Sequence, residues 1–196
     1  MSARLAWPSL YLVTPEPPEG LAFDHFVAQL ERALQAGVRL VQLRAKTLDE
    51  RQYAQLAVAA LAACRRHGAR LLLNASPELT QALNADGVHL TSTRLMACTQ
   101  RPLQDGMLVS AACHDAHQVL HAKRIGVDLL TISPVLPTQT HPDAIPLGWP
   151  RFAELAALAQ LPVYALGGMT EQQLPLARAA GATGIAAIRA LWGRAL

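Results

Sequence analysis

Short apolar, β-branched runs recur along the chain, and each gives way to a polar turn and then a helical pattern. The runs are "SLYLVT" (9–14), "LVQLRA" (40–45), "RLLLNA" (70–75), "GVHL" (87–90), "LVSAAC" (108–113), "DLLTISP" (128–134), "PVYALGG" (162–168) and "GIAAIR" (184–189). Segments such as "FDHFVAQLERALQAG" and "LDERQYAQLAVAALAACRRHG" lie between them, with apolar residues at helical spacing and a closing Gly that stops the helix. Strand, helix, strand in repetition predicts parallel pairing through right-handed crossovers. Eight such strands predict an α/β protein closed into a (β/α)8 TIM barrel, one domain over residues 1–196. A doubly wound open sheet is the rival. The stretch Thr91–Leu103 is ambiguous, with a helix that is brief or irregular. In either fold the chemistry belongs at the C-terminal ends of the strands.

Composition narrows the class. Hydrophobic residues make up 52% and charged residues 16% of 196, enough for a large core and too apolar for disorder. Aromatics are 5%, so Ala, Leu and Val do the filling, as helix-on-sheet packing requires. A net charge of +3, spread along the chain, suits an anionic metabolite and gives no footprint for nucleic acid. The three cysteines, Cys64, Cys98 and Cys113, form no CxxC or Cys/His cluster, so neither zinc nor disulfides are expected and the expected compartment is the cytoplasm. No apolar run approaches the roughly 20 residues of a membrane span.

The strand ends carry the candidate chemistry. In "VQLRAK", alternation sets Gln42 and Arg44 on one side with Lys46 beyond, an anion clamp or else solvated surface charge. In "ALGGMTEQQ", Gly167 and Gly168 let backbone approach a ligand, and Thr170 caps the next helix, a phosphate site or a plain turn. The loop "SPVLPTQTHPDAIPLGWP" brings Thr138, Thr140 and His141 as a lid or an ordinary connection. His114 projects from the end of the fifth run, a proton shuttle or a structural residue. His89 reads as packed and hydrogen-bonded, and Cys113 as a small buried thiol.

Taken in order, "GVRLVQLRAK", "ADGVHL", "SAACHD", "SPVLPTQTHP", "PVYALGGMT" and "GATGIAAI" resemble the thiamin phosphate synthase and TenI-like thiazole tautomerase family over almost the whole chain. The resemblance implies a phosphate-binding TIM barrel. It assigns Gln42, Arg44 and Lys46 to the pyrimidine partner and its diphosphate, and Asn74 to the opening of an Asn-Asp-Arg turn. Thr138 and Thr140 would embrace phosphate, and Gly167 and Gly168 would hold the thiazole phosphate. His114 would be the acid and base of the tautomerase branch.

The departures from that pattern are specific. Ala75 stands where the synthase branch has its magnesium-binding Asp, and Arg94 stands about where a second acid belongs. His141 replaces a Lys, and Arg189 a Ser at the last strand end. Magnesium needs hard oxygen ligands, usually one or two carboxylates. The expected function is therefore binding of a phosphorylated thiazole-type ligand with metal-independent isomerisation by His114, the phosphate held by Gly167, Gly168 and Arg189. The alternatives are a thiamin phosphate synthase using magnesium through other acids such as Asp115 or Asp143, and a non-catalytic phosphate-ligand-binding domain. The chain also resembles the synthase-like domain fused behind a Nudix hydrolase in some bacteria. A homodimer or a Nudix-domain partner is thus an expectation, along with a small phosphorylated metabolite.

Overall fold

The computed structural model describes residues 7–18, 23–138 and 143–193. Eight parallel strands form a closed barrel in sequence order: β1 (Leu10–Val13), β2 (Leu40–Leu43), β3 (Arg70–Leu73), β4 (Gly87–Leu90), β5 (Leu108–Cys113), β6 (Leu129–Ile132), β7 (Val163–Leu166) and β8 (Gly184–Ala187). The last strand returns to the first, with Leu10 beside Ile185 and Tyr11 beside Ala186. Closure settles the choice against an open sheet and leaves no strand edge unpaired.

Alternation along each strand divides the core in two. One set of side chains, including Leu12, Val41, Leu43, Leu71, Leu73 and Val88, packs outward against the helices. The other set, Tyr11, Val13, Leu40, Leu72, Leu129, Tyr164 and Ala186, fills the barrel interior. There Tyr11 and Tyr164 meet edge to face, ring centroids 5.4 Å apart, and the Tyr164 hydroxyl donates to Pro8 O at 2.7 Å. A strand residue of the inward set beyond the last filled layer must therefore face the mouth.

The crossovers are α1 (Phe23–Gln35), α2 (Glu50–Arg66), α3 (Pro77–Ala82), α4 (Ser92–Ala97), α5 (Ala116–Arg124) and α6 (Gly148–Ala159), then a 3-10 turn (Glu171–Gln173) leading into α7 (Leu174–Ala179). Local sequence starts several of them. Asp49 accepts from Gln52 N at 2.8 Å in a capping box, and Ser76 Oγ accepts from Leu79 N ahead of Pro77. The ambiguous stretch resolves into the six-residue α4 and an irregular segment pinned by one side chain. Arg101 Nη2 donates to Met107 O and Asp128 Oδ2, both at 2.7 Å, which replaces helical packing with a charged clamp. Among the described residues, no helix is long and apolar enough to cross a membrane.

Candidate functional site

A cavity of about 970 Å³ opens at the C-terminal ends of the strands. Gln42, Arg44, Lys46, Asn74, His114, Thr138, Gly167, Gly168 and Arg189 all line it. Thr140 and His141 lie outside the described residues. A smaller hollow of about 580 Å³ lies at the opposite barrel end, but Arg65 and Asp86 there already bond Asn84 O and Leu71 N.

The strand period explains the grouping. Gln42 and Arg44 continue the inward set of Leu40, and His114 continues that of Leu108, Ser110 and Ala112. Gln42 is buried in the wall, Arg44 is half-buried, and Lys46 stands exposed at the rim. The floor holds His89 and Thr131. His89 Nδ1 bonds Ser110 Oγ at 2.9 Å, and burial lowers its pKa to about 3, so the imidazole is neutral. The Thr131 hydroxyl is buried and has no partner among the described residues, a costly arrangement until a ligand or water pairs with it.

That buried imidazole carries a pH signature. Its folded pKa of about 3 lies below the ordinary 6.5, so between the two values the unfolded chain holds a proton that the folded chain lacks. Stability contributed this way is complete above pH 6.5 and is lost progressively as pH falls towards 3. In His89→Gln the thermal midpoint should fall less between about pH 6.5 and about pH 4 than in the wild type, measured by circular dichroism. An identical acid limb in both proteins would remove His89 as its source.

His114 is fixed from two sides. Its backbone N–H donates to Gln118 Oε1 at 2.8 Å, and its ring Nδ1 lies 2.7 Å from Ser133 O. A carbonyl oxygen only accepts, so Nδ1 carries the hydrogen and the neutral ring keeps its lone pair on Nε2. Neither Ser133 nor Gln118 was foreseeable as a partner without the barrel, although Gln118 at four residues' separation fits the first turn of α5. Cys113 is buried, and desolvation pushes its thiol up to about 12, as suits a packed and inert group.

Two strands along the barrel from His114, the turn after β7 brings Gly167 (φ +100°) and Gly168 (φ +67°) to the cavity. Their amides donate no hydrogen bond among the described residues. Thr170 caps the element that follows, as expected, in a capping box with Gln173. Its N–H is taken by Gln173 Oε1 at 2.8 Å, and it opens a 3-10 turn, so this amide is spent inside the turn. Ile188, Arg189 and Ala190, past β8, line the same corner. Amide-rich turns after β7 and β8 are a recurrent phosphate position in barrels.

The β3 and β4 ends are where a magnesium ion would have to fit. Arg94, in the first turn of α4, sends Nη1 to Ala75 O at 2.8 Å and to within 3.5 Å of Asn74 Oδ1. A guanidinium thus faces the two oxygens of this turn, and Ala75 brings no carboxylate. Asp115, weighed as a replacement ligand, accepts from Gln118 N at 2.8 Å as the cap of α5, and Asp143 is exposed outside the cavity lining. These residues do not fit a divalent cation, which wants converging carboxylates.

Sequence reasoning passed over Glu16, past the end of β1. It accepts from Arg44 Nη1 at 2.9 Å and from Thr47 N at 2.7 Å, tying the first two strand ends together. Its only sequence signal is an acid just past a strand end of a barrel.

A closed parallel barrel with its cations, a histidine and a glycine turn gathered at the C-terminal mouth belongs to the (β/α)8 class that works from that face. A family model described as thiamine monophosphate synthase matches residues 10–191, and the chain belongs to that family. It is 34% identical over 181 residues to the putative thiamine-phosphate synthase 2 of Aquifex aeolicus, covering 92% of this chain and 96% of that one. It is 40% identical over 185 residues to the thiamine-phosphate synthase of Thermus thermophilus, covering 93% and 88%. The thiamine phosphate pyrophosphorylase from Pyrococcus furiosus shares the fold, with a TM-score of 0.73 at 23% identity over 92% of this chain and 85% of that one.

Proposed function

We propose that the mouth binds a phosphorylated thiazole-type metabolite and interconverts its tautomers by metal-independent proton transfer through His114. The observation that carries this reading is the His114 ring, held by Nδ1 against Ser133 O at 2.7 Å with Nε2 left for a ligand. In the same cavity, the Gly167 and Gly168 turn, with Thr138 and Arg189 also in the lining, anchors the phosphate. Arg44 or Lys46 meets the ligand's carboxylate. Nε2 takes a proton from one position of the bound heterocycle and returns it at another, so the reaction is a net isomerisation and needs no co-reactant. The neutral floor of Gln42, His89 and Thr131 suits an uncharged, hydrogen-bonding ring.

A second reading has a support that the first lacks. The relatives at 34% and 40% identity carry the name thiamine-phosphate synthase, which favours a transferase joining hydroxymethylpyrimidine diphosphate to thiazole phosphate. Against it stands the charge at the β3 and β4 ends. Departure of pyrophosphate is ordinarily helped by a dication, and Arg94 offers one positive charge where two carboxylates and an ion would be needed.

One assay separates the readings. The purified chain is given the thiazole carboxylate phosphate tautomer, and separately hydroxymethylpyrimidine diphosphate with thiazole phosphate, each with and without EDTA. Tautomer conversion at the same rate in both buffers is the expected result. Thiamin phosphate formation that stops on chelation would replace the first reading with the second. Saturable ligand binding with neither turnover would leave a binding domain.

A further inference from the structure

We infer that Glu16 is a positioning residue for the anion site, holding the Arg44 guanidinium so that its remaining donors face the mouth. This role rests on the reading of Arg44 as a ligand cation. The observations concern two residues past β1 and two past β2. Thr14, fully buried, donates through Oγ1 to Arg44 O at 3.1 Å and accepts from Arg44 N at 2.9 Å, which fixes the Arg44 main chain. Glu16 then fixes the side chain. Its Oε2 accepts from Arg44 Nη1 at 2.9 Å, and its Oε1 accepts from Thr47 N at 2.7 Å and Thr47 Oγ1 at 3.0 Å.

The Thr47 bonds matter most. They anchor the carboxylate on the β2–α2 turn independently of the arginine, so Glu16 acts as a fixed post rather than as a mobile counter-ion. The pair is half-shielded, with side-chain exposures of 21% for Arg44 and 29% for Glu16. Among the described residues Arg44 makes no other side-chain hydrogen bond, so the donors beyond Nη1 remain for a ligand. A long, flexible cation gains affinity when its orientation is set before the ligand arrives.

This role and plain electrostatics predict opposite signs. A carboxylate next to an anion site repels the anion, so if that were all Glu16 did, Glu16→Gln would tighten binding. If Glu16 positions Arg44, Glu16→Gln weakens binding although the site becomes more positive. The test measures binding of the thiazole carboxylate phosphate and of inorganic pyrophosphate by calorimetry for wild type, Glu16→Gln, Arg44→Ala and the double variant. It also follows the Arg44 guanidinium by nitrogen-15 NMR.

The expected results are a roughly tenfold loss in Glu16→Gln, as for one charge-assisted contact losing its geometry. The double variant should be no worse than Arg44→Ala alone, and the resolved Arg44 Nη resonances of the wild type should collapse by free rotation in Glu16→Gln. Unchanged or tighter binding in Glu16→Gln, beside a weakened Arg44→Ala, overturns this role alone. So does a freely rotating Arg44 guanidinium in the wild type. If the wild type binds neither probe, or Arg44→Ala binds as the wild type does, the anion-site reading falls and this role with it.

Discussion

His114→Ala should lower tautomer conversion by roughly 10²–10⁴-fold, the usual contribution of one positioned acid–base group. The apparent KM should change little, because the phosphate anchor is a separate group, the turn after β7. The expectation follows from how the ring is held. With Nδ1 committed to Ser133 O at 2.7 Å, only Nε2 can exchange a proton with a ligand, and among the described residues no other imidazole suited to that exchange lines the cavity. His89, the other histidine in the cavity lining among the described residues, has its pKa lowered to about 3 by burial and makes a poor base near neutral pH. A kcat unaffected by His114→Ala, followed by NMR of the two tautomers, would remove the histidine from the chemistry.

Gly168→Ala should damage both stability and ligand binding. Its φ of +67° is a conformation that costs an L residue about 1–2 kcal/mol. The added Cβ would lie 2.7 Å from Pro137 O and 2.8 Å from Leu136 Cβ. Those atoms belong to the segment after β6, which is tied to the β7 turn by the bond from Leu136 N to Gly167 O. Overpacking of this kind costs about 1–3 kcal/mol more. The segment must move, and Thr138 moves with it. Urea unfolding should give a lower midpoint at unchanged slope, and thiamin monophosphate affinity should drop. A variant within about 0.5 kcal/mol of the wild type, binding normally, would mean that the turn tolerates a side chain.

Much of the architecture was legible because barrel strands repeat one physical pattern. Each run had to be apolar on both faces, inward for the barrel and outward for the helices, so all eight stood out from their polar turns. Period two then carried Gln42 and Arg44 to the same side. Boundaries ran one or two residues long at the turns, as at "RLLLNA", where β3 ends at Leu73 and Asn74 already belongs to the rim.

The unreadable part was pairing across strand ends. Glu16 with Arg44, Ser133 with His114, and Arg94 with Ala75 are separated by 28, 19 and 19 positions, and only closure of the barrel makes them neighbours. The stretch after α4 was equally opaque. It is held by Arg101 reaching Asp128 rather than by an apolar stripe, so hydrophobic spacing carried no record of it. Thr170 was legible as a cap, but not that Gln173 would take up its amide in a capping box.

The strap from Arg94 to Ala75 O has a kinetic consequence. A guanidinium bonded to a carbonyl keeps its full charge, and no carboxylate among the described residues forms an ion pair with it. That corner is a standing source of positive potential whose strength is set by covalent structure rather than by how much divalent salt the surroundings supply. Anionic metabolites are drawn to the opening from farther away in dilute electrolyte, and the attraction shortens as the Debye length shrinks.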